Sequence, residues 1–244
     1  MLLVTTQTAL AAHPLITDDT GTQGMGKFQL EIVGEYEHEN KDGVTTDSLV
    51  IPTIPVLSYG ITDTADIVLG ISYQHVRTGD SHKTTTADGI SDTSVELKWR
   101  FYDKNGLSFA LKPGVSLPTG NDEKELGAGK ITCRLFFIAT KEIKPWAFHL
   151  NIGYIRNENK INKRIDIWHA SLAGEVEVVK NLKAVANVGI ERDHDRASDG
   201  NPCFILGGLI YSISERLDLD IGIKKGINNR GNDYSFPVGI TWRF

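Results

Sequence analysis

Val95-Glu96-Leu97-Lys98-Trp99-Arg100-Phe101 alternates without a break between apolar and charged residues. A period of two belongs to a β-strand, whose successive side chains point to opposite faces. One face carries Val95, Leu97, Trp99 and Phe101, and the other Glu96, Lys98 and Arg100. A soluble sheet also hides an apolar face and wets a polar one, so this stretch by itself leaves two architectures open. The rest of the chain decides between them.

The alternation recurs in Lys27 to Glu37, where Phe28, Leu30, Ile32, Gly34 and Tyr36 share a face. It recurs in Asp66 to Gln74, with Ile67, Leu69, Ile71 and Tyr73 set against Asp66, Gly70, Ser72 and Gln74. Read in this way, the chain predicts twelve strands, near 26–38, 48–60, 64–76, 91–103, 107–118, 130–142, 145–156, 166–179, 181–192, 203–214, 216–226 and 233–244. Between them runs no helical stripe, no repeat, and no apolar run of the roughly 18 residues that a transmembrane helix needs. Short connections fall at Gly60 to Asp63, Asp103 to Gly106, Glu142 to Lys144, Lys180 and Glu215. Long polar ones fall at Glu39 to Asp47, Arg77 to Ser91, Thr119 to Gly129, Asn157 to Ile165, Asp193 to Pro202 and Gly226 to Asn232.

Short and long connections alternating through an even number of strands suit a barrel in an outer membrane, with tight periplasmic turns and longer extracellular loops. A Greek-key sandwich has no reason to keep that order. The expected fold is therefore all-β, a transmembrane antiparallel up-and-down β-barrel of about 12 strands over 26–244. With the N-terminus periplasmic, Trp99, Trp146 and Trp242 fall near the inner rim and Trp168 near the outer one, and Tyr36, Tyr73 and Tyr154 also lie at outer ends. Aromatic residues at both interfaces form the girdles of such barrels. Pro52 and Pro55, which lack ladder donors, predict a bend or bulge in the second strand.

The termini add to this. Residues 1–12, MLLVTTQTALAA, are apolar and small, and Ala9-Leu10-Ala11 has the form of a signal-peptidase site, so they read as an export signal cut short. Residues 13–25 form a Gly/Thr/Asp-rich lead, expected on the periplasmic side. At the other end Ile240, Trp242 and Phe244 stand at alternate positions and finish on an aromatic residue, resembling the signal read by the barrel-assembly machinery.

Charge and cysteine usage remove other classes. The net charge of −5 is spread along the chain, with no basic stripe to meet a nucleic acid. Cys133 and Cys203 have no His or Cys at metal-ligand spacing, and no cofactor motif appears.

Particular stretches carry a family resemblance. The lead His13-Pro14-Leu15-Ile16-Thr17-Asp18-Asp19-Thr20-Gly21-Thr22-Gln23-Gly24, the turn Tyr59-Gly60-Ile61-Thr62-Asp63, Lys112-Pro113-Gly114, and Leu117-Pro118-Thr119-Gly120 followed by Leu126-Gly127-Ala128-Gly129 are similar to the transporters grouped under the meta-pathway phenol-degradation name. The resemblance spans nearly the whole mature chain. It implies an exported Gram-negative barrel in the outer membrane and a connection to the uptake of aromatic compounds, and it brings no catalytic residue.

On the face turned from lipid, the candidate pore-lining residues are Glu96, Lys98, Arg100, Lys112, Arg134, Glu175 and Glu177. Lys98 and Arg100 fall on successive inward positions, about 7 Å apart at roughly 3.4 Å per residue. Left free, such cations would concentrate anions in a confined space; paired with Glu96, Glu175 or Glu177, they would instead close it. Phe136 and Ile138 also fall on the inward face of their strand, which marks either a greasy patch or a shift of register. The reading is a non-enzymatic, porin-like channel for passive passage of small solutes, aromatic or hydrophobic ones among them. Two alternatives stand beside it: a closed structural or adhesion barrel, and a membrane-embedded lipid hydrolase that would draw on His194 and Ser198.

Overall fold

The computed structural model describes residues 13–41, 44–79, 84–228 and 233–244, with residues 41 and 50–55 as backbone only. The chain forms β1 (Phe28–Lys41), β2 (Val44–Thr62), β3 (Ala65–Gly79), β4 (Thr84–Ile90), β5 (Thr93–Lys104), β6 (Leu107–Leu117) and β7 (Thr132–Ile143). It continues with β8 (Trp146–Arg156), β9 (Asp166–Val179), β10 (Leu182–Glu191), β11 (Cys203–Ser214), β12 (Leu217–Gly226) and β13 (Tyr234–Arg243). Every pairing is between antiparallel neighbours, and β1 bonds both β2 and β13, so the sheet closes on itself. The seam is fastened at the chain end, where Phe28 and Phe244 exchange N–H···O=C bonds of 2.9 and 3.0 Å and their rings stack.

Thirteen strands make twelve staves, because β4 and β5 together face β3. Tyr73 to Gly79 of β3 pair with β4, and Ala65 to Gly70 pair with β5. Between the two the Ser91 N–H donates to the Ser72 carbonyl at 2.8 Å. Among the described residues each strand other than the short β4 is bonded to a neighbour on both sides, the arrangement that hydrocarbon imposes on a sheet crossing it.

All twelve expected strands form, and two hairpins run further than expected. β1 and β2 pair through the expected loop Glu39 to Asp47, and β3 and β4 occupy most of the one expected at Arg77 to Ser91. Thr84-Thr85-Thr86-Ala87-Asp88 is polar on both faces because it stands above the lipid belt with water on each side, so it lacks the contrast by which strands are recognised. The irregularity expected at Pro52 and Pro55 is present as register shifts between Ile51 and Ile54 and between Ile54 and Leu57. At the opposite rim Asn105 and Gly106, with φ of 54° and 67°, make the two-residue turn whose twist matches a hairpin.

The outer face is apolar and uncovered: Ile152, Ile221 and Ile223 are each more than half exposed, and Trp99, Trp146, Trp168 and Trp242 stand out from the wall near its rims. A continuous belt of this kind would drive association in water, whereas lipid tails solvate it. The protein is an outer-membrane barrel. Cys133 points outward on this wall, and both cysteines are free thiols. The expected export signal, residues 1–12, lies outside the described residues.

Sidedness follows from loop length and gives a first expected outcome. In a background of Cys133→Ser and Cys203→Ser, an impermeant thiol reagent applied to intact cells should label Glu123→Cys and Asp199→Cys, which stand exposed on long loops. Asn105→Cys, equally exposed at a short turn, should stay unlabelled. The reverse pattern inverts the barrel.

Candidate functional site

The lead was expected below the barrel, and instead it lies inside it. It enters at the short-turn rim, where the Gly26 N–H donates to the Gly60 carbonyl at 2.9 Å and the Gly60 N–H to that of Lys27 at 3.0 Å. Gly60 must be a glycine here, because a Cβ on it would run into the Gly24 carbonyl. From that point the segment passes around the inner wall. The Gln23 N–H reaches Asp66 on β3, and Thr20 bonds Thr140 on β7 and Ser108 on β6. Asp18 is clamped by Asn151 on β8, whose side-chain oxygen accepts from the Asp18 N–H at 2.7 Å and whose amide donates to the Asp18 carbonyl at 2.8 Å.

Further along, the Asn187 side chain on β10 accepts from the N–H groups of Ile16 and Thr17 and donates to the Thr17 hydroxyl. Leu15 then packs against Ala173, Val185, Leu206 and Ile210 on β9, β10 and β11, and His13 contacts Asp220 on β12. The physical reason is legible in hindsight. Backbone groups in a closed space need partners, and the inward asparagines and aspartates of the wall supply them.

Charge is settled in the same place. The Asp18 carboxylate receives Lys98 Nζ and Lys112 Nζ, each at 2.8 Å, and Lys98 also lies 3.5 Å from Asp19. Lys112 is 3.2 Å from Glu96, which in turn is 3.3 Å from Arg134. Asp18, Glu96, Lys98, Lys112 and Arg134 are all buried. An anion-attracting pair of free cations, one of the two outcomes open from the sequence, is therefore absent while the lead is seated.

Of the expected lining residues, Glu96, Lys98, Lys112 and Arg134 come together in this layer. Arg100 sits lower, at the rim, donating to the Asp63 carbonyl and pairing with Asp103. Glu175 pairs with Lys183 at 2.9 Å on the inner face. Glu177 keeps the inward parity but stands past the rim, exposed, where it accepts the Asn181 N–H of the β9–β10 turn. It is a strand residue at the rim rather than a lining one, because β9 and β10 run on past the last pairing of β9 with β8 at Val176.

Space remains on both sides of the charged layer. Towards the short turns a cavity of about 560 Å³ runs from Asp18, Glu31, Asp66, Lys98 and Lys112 to a mouth at Lys27, Arg216, Arg243 and Phe244. Towards the long loops a smaller one of about 50 Å³ is lined by Ser94, Ser116, Arg134 and His194 among others. The loop above it is fastened by Asp92, whose carboxylate accepts the Gly120 and Ala128 N–H groups at 2.9 and 2.8 Å. Asp92 had no signal in the sequence, since it is a lone aspartate at a strand break.

The inward position of Phe136 and Ile138 is a true greasy patch. β7 keeps an unbroken register with β6 and β8, and these residues cluster with Ala110, Ile155 and Ile167. Gly153 leaves room for the Phe136 ring, which a Cβ there would strike.

A second group was missed by sequence reading because its members are spread over β9, the end of β10 and the loop that follows it. Ser171 Oγ is 3.0 Å from His169 Nε2, His169 Nδ1 is 3.1 Å from Glu191, and the same carboxylate meets His194 Nε2 at 2.8 Å. That order is the one a nucleophile, base and orienting acid require. Ser171 is only 4% exposed, however, and the Phe204 ring lies over Gly189 beside it. The hydroxyl is thus held in the wall rather than presented to a substrate. His194 and Ser198 form no such pair, for Ser198 bonds within its own loop to Gly200.

A family model described as "Putative MetA-pathway of phenol degradation" matches residues 13–244. No curated protein matches the chain. In fold it is similar to the NanC porin, with 10% identity and a TM-score of 0.56 over 87% of this chain and 98% of that one. It is similar also to the translocator domain of the autotransporter NalP from Neisseria meningitidis, with 10% identity and a TM-score of 0.54 over 91% and 89%. The KdgM porin gives 10% identity and a TM-score of 0.51 over 87% and 99%. At such identities the likeness is one of fold.

Proposed function

The chain belongs to the family described as "Putative MetA-pathway of phenol degradation", and from that membership we propose that it is a passive outer-membrane channel for small solutes, aromatic and hydrophobic ones among them. The observation that carries this reading is the nature of the obstruction. The wall itself is lined by polar groups and leaves a cavity of about 560 Å³, and what fills the middle of the lumen is the lead, a segment that is no part of the wall. A barrel meant only as a support has no need of a polar lumen stopped by a separable piece. The names of NanC and KdgM as porins accord with it. The greasy patch around Phe136 supports the choice of solute, since an aryl ring finds there a surface that water does not contest.

Purified barrel in planar lipid bilayers tests the reading: small, discrete current steps are expected. Silence in the parent and in a variant without the lead would establish a closed structural barrel. The terminal strand is proposed as the element that the assembly machinery reads, supported by the outward, exposed side chains of Ile240, Trp242 and Phe244.

A further inference from the structure

Lys98 on β5 and Lys112 on β6 are buried and stand opposite one another across the β5–β6 ladder. Like charges directly opposed on a sheet repel, and burial sharpens the repulsion because little solvent screens it. Such a pair is tenable only with an anion between its members. The anion in place is a carboxylate, 2.8 Å from each ammonium, and it belongs to Asp18 of the lead.

The surroundings of this seat are two-sided. Next to Lys112 across the β6–β7 ladder stands Phe136, and next to Ala110 stands Ile138. Both are buried, and Ile155 and Ile167 extend the same apolar surface. The cavity from the short-turn mouth reaches both lysines, so a solute has a way in.

We propose that Lys98 and Lys112 form a carboxylate-binding site, filled at rest by Asp18 and taken over by a small carboxylate with an apolar body as the lead withdraws. The incoming carboxylate sets its oxygens where those of Asp18 stand and lays its body on Phe136 and Ile138. The lead is then a competitor for the site, and the solute that binds best is the one that opens the lumen. No bond is made or broken in the exchange. This rests on the channel reading and names a solute class for it.

The probes are benzoate and its neutral counterpart benzamide, titrated calorimetrically into the folded full-length barrel in detergent. The parent should bind benzoate weakly, because Asp18 competes. Asp18→Asn should bind it about tenfold more tightly or better, since the site is no longer taxed by its own occupant. Asp18→Asn/Lys112→Met should lose that gain, and benzamide should bind none of them measurably. Equal benzoate affinity in parent and Asp18→Asn, or benzamide binding as tightly as benzoate, overturns the proposal.

Folding of each variant is read from its faster migration on an unboiled gel. Should Asp18→Asn fail that check, a second measurement decides on the otherwise parental sequence. Thr17→Cys, in a background without Cys133 and Cys203, is buried at rest, and benzoate at constant ionic strength should raise its reaction with an impermeant thiol reagent. An unchanged rate sinks the idea. Neither readout depends on current: a silent barrel that binds benzoate defeats the channel reading alone, and a conducting one without this selectivity defeats the carboxylate site alone.

Discussion

Removing residues 13–23 is expected to raise the single-channel conductance several-fold over the parent and to shift its ion preference towards anions. The lead takes up the middle of the lumen and is held there by Asn151, Asn187, Lys98 and Lys112. Without it those groups face water, and a twelve-strand wall lies between the filled interior of eight strands and the open one of sixteen. The change in preference follows from what departs. Asp18 and Asp19 leave with the lead, so Lys98 loses both of its ion-pair partners while Lys112 keeps Glu96. Fixed positive charge in a confined passage then concentrates anions, an effect that rising salt should weaken. Planar-bilayer recordings of parent and deletion in asymmetric potassium chloride measure both quantities. Equal conductance would mean that the wall, and not the lead, limits flow.

The largest expected effect on stability comes from Lys112→Met. Lys112 is 2% exposed and joins Asp18 and Glu96, at 2.8 and 3.2 Å. The methionine fills a similar volume but leaves buried carboxylates short of a counter-charge, a loss of about 3–5 kcal/mol for a buried pair broken on one side. Urea unfolding of the barrel in lipid vesicles should therefore show a clearly lower midpoint, whereas Lys124→Met on an exposed loop should stay within about 0.5 kcal/mol of the parent. Adding Asp18→Asn to Lys112→Met should recover part of the loss, because one surplus carboxylate has gone while Lys98 keeps Asp19 and Arg134 keeps Glu96. No recovery would show that packing around Lys112, rather than its charge, matters.

The wall was legible in the sequence because lipid on one side and a polar interior on the other write a period of two into every stave. Leu97, Trp99 and Phe101 against Glu96, Lys98 and Arg100 is that contrast at its plainest. Where both faces meet water, at Thr84 to Asp88, the contrast vanishes, and a loop was expected where β4 stands. The candidate site was half legible. Parity named Glu96, Lys98, Lys112 and Arg134 as neighbours, and it placed Phe136 correctly. Their true counter-charge was hidden, because Asp18 sits 80 residues from Lys98 and 94 from Lys112 in a stretch whose glycines, threonines and aspartates have the composition of a loop. Glu177 was misplaced for a simpler reason, since parity says which way a side chain points and nothing of whether the wall is still there.

The path of the lead also fixes an order of events in folding. His13 meets Asp220 across 207 positions of sequence, Ile16 meets Asn187 across 171, and Asp18 meets Asn151 across 133. Contacts so remote in the chain are entropically costly until other structure has brought their ends together. Here that structure is the finished wall, for the partners of the lead are spread over β3, β5, β6, β7, β8, β10 and β12. The earliest residues of the described chain are thus the last to find their places. A hollow form, a complete cylinder with its passage still clear, therefore comes before residues 13–25 turn inward and stopper it.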